Sequence, residues 1–194
     1  AARVREVERV ARSASGFRNV EIVASPYNQG LFAAITGGVG RVVAEAGRVI
    51  VVEDDIVASP HFLTYMNDAL DRYASDPRVG SIHAYAPPIA GLPDFYFLSG
   101  ADCWGWATWA DRWSLFRHDP SKLLREIVAN SQLDEFCSSH GTGSLLLLLR
   151  RARGRNQSWA ILWHASLFLA GRLTLHPGNS FVENIGNDGS GAHA

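Results

Sequence analysis

This sequence contains little cysteine and methionine, and its net charge is close to zero. Its 194 residues include two cysteines and one methionine, and the formal net charge is -1. Cys103 and Cys137 provide no disulfide framework and show no metal-ligand spacing, so we read them as free thiols of a reducing compartment. A charge balance near zero gives no general attraction to nucleic acid or to anionic membrane surfaces. We therefore expect a protein without a nucleic-acid partner.

Long apolar runs are also missing. No stretch reaches the roughly 20 residues that cross a bilayer, and the opening residues show no secretory signal pattern. The run Leu145–Leu149 is too short to span a membrane and is typical of a fully buried helix turn. We therefore expect no membrane span and a cytoplasmic location.

The composition is that of a compact globular protein. Hydrophobic residues make up 47% of the chain and charged residues 19%, and both values are ordinary for a folded domain. The length suits one domain over residues 1–194. Aromatic residues are unevenly placed, because four of the six tryptophans lie between Trp104 and Trp113.

Apolar periodicity alternates between helix and strand in the first half of the chain. Segments with helical spacing alternate with short apolar runs typical of strands, in the order 4–14, 20–24, 31–46, 49–52, 62–73 and 79–85. This order predicts an α/β fold with a mainly parallel, mixed sheet and helices on both faces. The pattern is irregular beyond Phe95, and residues 176–194 are rich in Gly, Asn and Ser, which predicts a loop.

Three consecutive carboxylates, Glu53, Asp54 and Asp55, directly follow the predicted strand at 49–52. They would lie at its carboxyl end, the edge at which open parallel sheets bind ligands. Alternation along extended chain places Glu53 and Asp55 on one side and Asp54 on the other. Because the nearest cation in sequence is Arg48, partly buried acids here favour a cation from outside. Oxygen ligands suit Mg²⁺ or Mn²⁺, and these ions suit a diphosphate.

The same triplet also fits a solvated loop whose acids lie near the N-terminus of the following helix. Short acidic motifs arise often by chance. Both interpretations are open on these three residues alone, and the wider sequence favours the first.

The stretch Val51–Phe62, VVEDDIVASPHF, resembles the strand, acidic motif and helix of glycosyltransferases with the A-type fold. It is similar in particular to the N-acetylglucosaminyltransferase I family and to bacterial sugar transferases that share its pattern. Two further segments resemble the bacterial proteins, Cys103–Trp113 (CWGWATWADRW) and Ser180–His193 (SFVENIGNDGSGAH). Three motifs in the right order are more specific than any one of them.

The resemblance implies roles for particular residues and a departure from the family. Asp55 matches the acid that binds Mn²⁺, and Glu53 and Asp54 match the acids that contact the nucleotide. His193 matches a late histidine that completes the metal shell, although a histidine near a Gly-rich terminus is equally consistent with a plain tail residue. Members of this fold open with a strand and turn that bind the nucleotide base. This chain starts at what resembles the next helix, so we expect that first strand to be lacking.

The tryptophan-rich segment offers a sugar pocket. Trp stacks on the apolar C–H faces of sugar rings, and a glycine lets backbone approach a ligand closely. We assign Trp104 and Gly105 to donor binding. Trp106, Trp109 and Trp113 follow helical spacing and are assigned to packing. An interpretation in which all of these residues belong to the core is also open.

The catalytic base is harder to place. In relatives of N-acetylglucosaminyltransferase I, a carboxylate follows a Trp in a late helix and activates the acceptor. The corresponding stretch Ser158–Trp163, SWAILW, contains no acid. Asp111 is our predicted base, and the alternative is an exposed helix residue paired with Arg112. Asp134 and Glu135 are weaker candidates.

Together these features predict metal-dependent, inverting transfer of a sugar from a nucleoside-diphosphate sugar to a hydroxyl of a glycan or other acceptor. The metal would act on the diphosphate leaving group, and a carboxylate would deprotonate the acceptor. One alternative is a nucleotidyltransferase, which would need a Gly-rich loop with a basic residue near its first strand. The other is a catalytically degenerate, carbohydrate-binding member of the fold.

Overall fold

The computed structural model describes residues 2–186. The chain divides into two compact units, Ala1–Gly30 and Leu31–Ala194. The first unit contains helix α1 (Ala2–Arg12), followed by residues 13–29 without helix or strand. Ion pairs join Glu6 to Arg9 and Glu8 to Arg12 along the exposed surface of α1, at the spacing that places side chains on one helix face.

The strand predicted at Val20–Ala24 is wrong. The structure gives this segment no strand, and the side chains of Val20 and Val23 are exposed. A strand requires a neighbouring backbone edge with which to pair. The described part of the first unit contains no other extended element, so the segment has no ladder to join.

The rest of the chain supplies the strands and most of the helices. The helices are α2 (Gly30–Ala46), α3 (Phe62–Arg72), α4 (Ala110–Trp113), α5 (Pro120–Ala129), α6 (Leu133–His140), α7 (Thr142–Ala152) and α8 (Ala160–Leu169). The strands are β1 (Arg48–Val51), β2 (Ile56–Ala58), β3 (Val79–His83), β4 (Phe95–Ser99), β5 (Trp106–Trp109), β6 (Leu173–Pro177) and β7 (Val182–Asn184). The segment predicted as loop contains strand β7. This strand forms because its backbone pairs with β2.

The main sheet has five strands in the order β1-β5-β3-β6-β4, and β2 pairs with β7 in a separate two-stranded ribbon. The α/β class and the mixed sheet are confirmed. The prediction of a mainly parallel sheet is wrong, because among the strands within residues 2–186 only β3 and β6 pair in parallel. Strands β1 and β3 do run in the same direction, as the helix between them requires. Strand β5 inserts between them and pairs antiparallel with both.

Helices cover both faces of this sheet, as predicted. Alternation along β5 sends Ala107 and Trp109 to a core shared with α3, and sends Trp106 to a core shared with α2 and α8. Trp106 is completely buried and packs against Trp113, Trp159 and Trp163. The assignment of Trp106, Trp109 and Trp113 to packing is therefore confirmed.

A third hydrophobic core joins helices α5 to α8. It corrects the expectation that the run Leu145–Leu149 is fully buried. It is built from Leu123, Phe136, Leu148 and neighbouring apolar residues of α5 to α8. The run Leu145–Leu149 is not fully buried, because Leu146 and Leu147 face solvent while Leu148 is inside. A helix on the surface of a core buries only one stripe. Among the helices of residues 2–186, none combines the length and the apolar character that a membrane span requires.

Several loops leave or enter the main sheet at the same edge. The directions of pairing bring the carboxyl ends of β1, β3 and β6 to this edge, together with the amino ends of β4 and β5. We call it the carboxyl edge. Loops that leave or enter these strands here can meet even when they are distant in sequence.

Candidate active site

The acidic triplet leaves β1 at the carboxyl edge. Glu53 and Asp55 are half-buried and Asp54 is exposed, and Asp54 and Asp55 lie in a turn rather than in the extended chain expected from the sequence. The amide of Ile56 donates to the carbonyl of Glu53 at 3.2 Å. This tight turn leads the chain directly from the triplet into β2.

The β2–β7 ribbon brings the third sequence motif to the triplet. Ile56 pairs with Asn184 across the ribbon, and the amide of Ile185 donates to the carbonyl of Asp55 at 2.9 Å. The side-chain amide of Asn184 also donates to Oδ2 of Asp55 at 3.3 Å. Asn184 therefore helps to fix the orientation of the Asp55 carboxylate.

Gly186 completes this contact through its lack of a side chain. A Cβ at position 186 would lie 2.9 Å from Cβ of Asp55 and would overlap one carboxylate oxygen. The amide of Gly186 donates to Oδ1 of Asn184 at 2.9 Å. Glycine at this position thus allows backbone to pack directly against the acid.

The second motif reaches the same edge through β5. Trp106 pairs with Val51, the last residue of β1, so the loop before Trp106 lies beside the start of the acidic loop. Trp104 is half-buried, packs against the core on the α3 face, and meets Tyr85 edge-to-face with ring centroids 4.8 Å apart. An indole in this position has surface free for a ligand.

Gly105 is buried, and it lets the backbone pack closely against other parts of the protein rather than against a ligand. Its φ is +64°, a left-handed value that favours glycine. An added Cβ would lie 3.0 Å from Val182, 3.2 Å from Phe62 and 3.3 Å from Ala84. Gly105 therefore joins β5 to α3 and β7, and in this structure it supports the site through packing.

The thiol of Cys103 is influenced by nearby negative charge. Burial raises the pKa of its thiol well above the usual range, and the negative charges of Asp102, Glu53 and Asp55 raise that pKa further. The thiol also donates to the Asp102 carboxylate. Val51, the residue at the end of β1, and Cys103 pack against the same core cluster, so the loop that carries Asp102 lies near the start of the acidic loop.

Asp102 and its neighbours were missed in the sequence. Oδ2 of Asp102 lies 3.6 Å from Nε2 of His83, whose side chain is 1% exposed. The His83 ring packs against His176, with centroids 4.9 Å apart, and Tyr96 stacks on His176 at 5.4 Å. Two signals could have indicated these residues: Asp102 directly precedes the tryptophan motif, and both histidines occur at carboxyl ends of strands.

The carboxylates fit a metal that arrives with a nucleotide better than a metal held by protein alone. Within residues 2–186, no three His, Cys, Asp or Glu side chains form a ready-made cage. Mg²⁺ in nucleotide sites is commonly held by one or two carboxylates together with phosphate oxygens and water. Glu53 and Asp55 meet this smaller demand and would hold Mg²⁺ or Mn²⁺. The predicted ligand His193 lies outside the described residues.

Asp111 is not brought to this group. It follows Trp109, which pairs with Arg48 at the beginning of β1, so it lies at the opposite edge of the sheet. Its side chain is 67% exposed and forms an ion pair with Arg112. The structure thus shows the arrangement that we stated as the alternative to a catalytic role.

The position after Trp159, where the resemblance noted in the sequence leads one to expect an acid, is occupied by Ala160 at the start of α8. Ala160 packs in the same cluster as Cys103. The stretch that lacks the expected carboxylate therefore lies next to the loop that carries Asp102.

A cavity of about 500 Å³ lies on the α3 face of the sheet, between α3 and β4. Its walls include Tyr65, Phe95 and Phe181, whose rings stack, with Asp68 and Arg72 near the rim. None of the predicted site residues lines it. The cavity is therefore distinct from the acidic loop, although Phe181 directly precedes the β7 strand.

Comparison of the chain with protein-family models gave no match, and comparison with curated proteins gave no significant match. A functional assignment therefore depends on the residues at the carboxyl edge and on the sequence motifs that meet there.

Proposed function

We propose that this protein transfers a sugar, with inversion, from a nucleoside-diphosphate sugar to a hydroxyl of a glycan or other acceptor. The observation that carries the proposal is the meeting of the three motifs at the carboxyl edge. Asp55 is hydrogen-bonded by Asn184, and Gly105 packs against Val182. We extend the proposal to the A-type fold, which the mixed sheet and the acidic loop at its edge support.

The donor side of the site uses the acidic loop. Glu53 and Asp55 would hold Mn²⁺ or Mg²⁺ against the diphosphate of the donor. When bound, this ion would act as a Lewis acid and offset the charge that develops on the leaving group. Asp54, exposed on the other side of the loop, is available to the nucleotide. Asn184 holds the Asp55 carboxylate in place, as a neighbour of a metal ligand commonly does.

Trp104 would contact the transferred sugar. Its ring meets Tyr85 through an edge-to-face contact, and the residue is half-buried and not fully enclosed. A partly exposed indole offers an apolar face to the C–H groups of a sugar ring. Because the loop of Trp104 lies beside the acidic loop, a sugar on this ring would be close to the diphosphate.

Binding of nucleoside diphosphates tests the donor site directly. UDP, GDP, ADP, CDP and dTDP, each with and without Mn²⁺, would be screened by thermal unfolding and then by calorimetry. A ligand that binds the folded state raises the unfolding temperature. We expect at least one of them to stabilise the protein only when Mn²⁺ is present, and Asp55→Asn and Glu53→Gln to remove the effect.

Asp71→Asn is the matched control, because Asp71 is exposed and pairs with Arg48 at the opposite edge of the sheet. Its nucleotide affinity should equal that of the wild type. Unchanged affinity in Asp55→Asn would overturn the assignment of the metal site.

Product analysis separates sugar transfer from the two alternatives. A glycosyltransferase releases a nucleoside diphosphate from a nucleotide sugar. A nucleotidyltransferase instead consumes a nucleoside triphosphate and a sugar phosphate and releases pyrophosphate. A carbohydrate-binding member without activity would release neither product.

A further inference from the structure

The carboxylates at the carboxyl edge belong to two different loops. Glu53 and Asp55 belong to the loop after β1, and Asp102 belongs to the loop before β5. The two loops are neighbours, because Val51 at the end of β1 pairs with Trp106 at the start of β5, and Val51 and Cys103 pack against the same core cluster. Asp102 is therefore near the proposed donor site without belonging to the loop that would hold the diphosphate.

The Asp102 carboxylate is held by its surroundings and is still accessible. Its Oδ1 accepts the amide of Cys103 at 2.8 Å, and its Oδ2 lies 3.6 Å from Nε2 of the buried His83. Its side chain is 39% exposed, so solvent or a ligand can reach it. Catalytic hydrogen bonds in ligand-free enzymes are often long and shorten when substrate binds.

Neighbouring groups are less suited to accept a proton from a substrate. Burial and nearby negative charge keep the Cys103 thiol protonated by raising its pKa. Tyr96 also has a raised pKa, first through burial and then through the charge of Asp102. His83 is 1% exposed and lies behind Asp102. Glu53 and Asp55 would be neutralised by the ion that they hold.

We propose that Asp102 is the general base of the sugar transfer proposed above, with His83 as the residue that positions it. The acceptor hydroxyl gives its proton to the Asp102 carboxylate. The acceptor oxygen forms a bond to the anomeric carbon as the bond from that carbon to the diphosphate oxygen breaks. The electron pair of the broken bond leaves with the nucleoside diphosphate, so the step needs no further reactant.

Asp102→Asn tests the base, because Asn keeps the shape and can still accept the Cys103 amide. We expect the rate of transfer to fall by about 10²-fold or more, a typical contribution of general base catalysis. Affinity for UDP with Mn²⁺, or for the diphosphate that binds best, should not change. The matched control is Asp94→Asn, which alters an exposed aspartate before β4 at the same edge.

Azide provides a readout that a merely structural role would not give. Azide is already an anion, so it can attack the anomeric carbon without a base and form a glycosyl azide. In Asp102→Ala, we expect glycosyl azide to form from UDP-N-acetylglucosamine, or from whichever nucleotide sugar of the screen reacts, at the wild-type rate, while transfer to a hydroxyl is lost. Asp102→Glu replaces this variant if Asp102→Ala does not fold, and it should retain part of the transfer.

Each outcome has a distinct meaning. Asp102 is removed from the mechanism if Asp102→Asn slows transfer by less than about tenfold, or if azide and hydroxyl reactions fall together. The proposed function itself fails if the wild-type protein neither binds a nucleoside diphosphate with Mn²⁺ nor reacts with any nucleotide sugar.

The imidazole of His83 can be examined without metal or substrate. Nitrogen NMR should show that Nε2 of His83 carries a proton that responds to Asp102→Asn and does not respond to Asp94→Asn. A His83 signal that is indifferent to Asp102→Asn would overturn the positioning role.

Discussion

Asn184 donates its side-chain amide to Asp55 across 129 residues of sequence. The contact joins the acidic loop to the β2–β7 ribbon, and the amide of Gly186 in turn donates to Asn184. The orientation of the proposed metal ligand is therefore set by a segment far from it in the chain. This relationship can be tested by removing each part separately.

Asn184→Ala should weaken binding of Mn²⁺ and nucleoside diphosphate by about tenfold or more, the usual effect of losing a partner that orients a metal ligand. Calorimetry measures the change. Asn179→Ala, at an exposed position before β7, is the control and should bind normally. Equal affinities for the two variants would show that Asn184 has no orienting role.

Gly186→Ala should reduce the same affinity by pushing the Asp55 carboxylate out of place. The added Cβ would lie 2.9 Å from Cβ of Asp55, closer than packed carbon atoms approach each other. Gly37→Ala is the matched control, because nothing lies within 4 Å of a Cβ added there. That control should stabilise α2 by about 0.5–1 kcal/mol in chemical denaturation, with no change in nucleotide affinity.

Substitution of Trp104 should affect ligand affinity, whereas substitution of Trp106 should affect stability. Trp104→Ala should lower affinity for a nucleotide sugar by about 5- to 10-fold and leave affinity for the nucleoside diphosphate alone unchanged. Trp106→Ala should instead reduce the free energy of unfolding by about 3–5 kcal/mol, because this side chain is completely buried. If Trp104→Ala changes stability and not sugar affinity, Trp104 belongs to the core.

Arg112 and Asp111 form an ion pair, and the two residues should contribute unequally to the stability of the protein. The Arg112 guanidinium also donates to the carbonyls of Ala74, Asp76 and Val79. Arg112→Ala should lower the free energy of unfolding by about 2–3 kcal/mol through loss of these bonds.

Asp111→Asn should lower the free energy of unfolding by less than about 1 kcal/mol, because Asp111 lies in an exposed pair. Sugar transfer should continue at the wild-type rate. A large loss of transfer in this variant would support Asp111 as the base in place of Asp102.

The reactivity of Cys103 reports the charges around it. Because burial and then three carboxylates raise the pKa of the thiol, its alkylation by iodoacetamide near neutral pH should be slow. Asp102→Asn removes one negative charge, so the pKa should fall, the thiolate fraction at a given pH should rise, and alkylation should be faster. Mass spectrometry in a Cys137→Ser background follows the rate, and a rate unchanged by Asp102→Asn would contradict the arrangement.

Local patterns predicted local features of the fold. The β-branched run 49–52 located β1 and the apolar segment 79–85 located β3, whereas the acidic triplet forms a turn and not the extended chain that alternation assumes. The sheet's mainly antiparallel pairing was not predictable in the same way. Strand β5 lies within a tryptophan-rich segment whose spacing resembles a helix, and nothing local shows that it inserts between β1 and β3.

Distance along the sequence is a poor guide to distance in space around the tryptophan motif. Asp111 closely follows Trp104 and Gly105 in the sequence, which is the basis of its prediction as the base. Between them, however, the four residues of β5 carry the chain about 13 Å across the sheet. Asp102 is on the other side of the same motif, and the chain has not yet entered the strand there. Which flank of a motif stays at the site depends on strand direction, which local sequence does not specify.

The β2–β7 ribbon also has a consequence for how the protein is made. A ribosome that has synthesised residues only through β6 has already produced Glu53, Asp55 and Asp102, yet Asn184 and Gly186 do not exist at that moment. Such distant pairings form late, because the loop between the partners must first close. A nascent chain should therefore acquire affinity for Mn²⁺ and a nucleotide only after residue 186 has emerged, and nucleotide capture during synthesis would mark that moment.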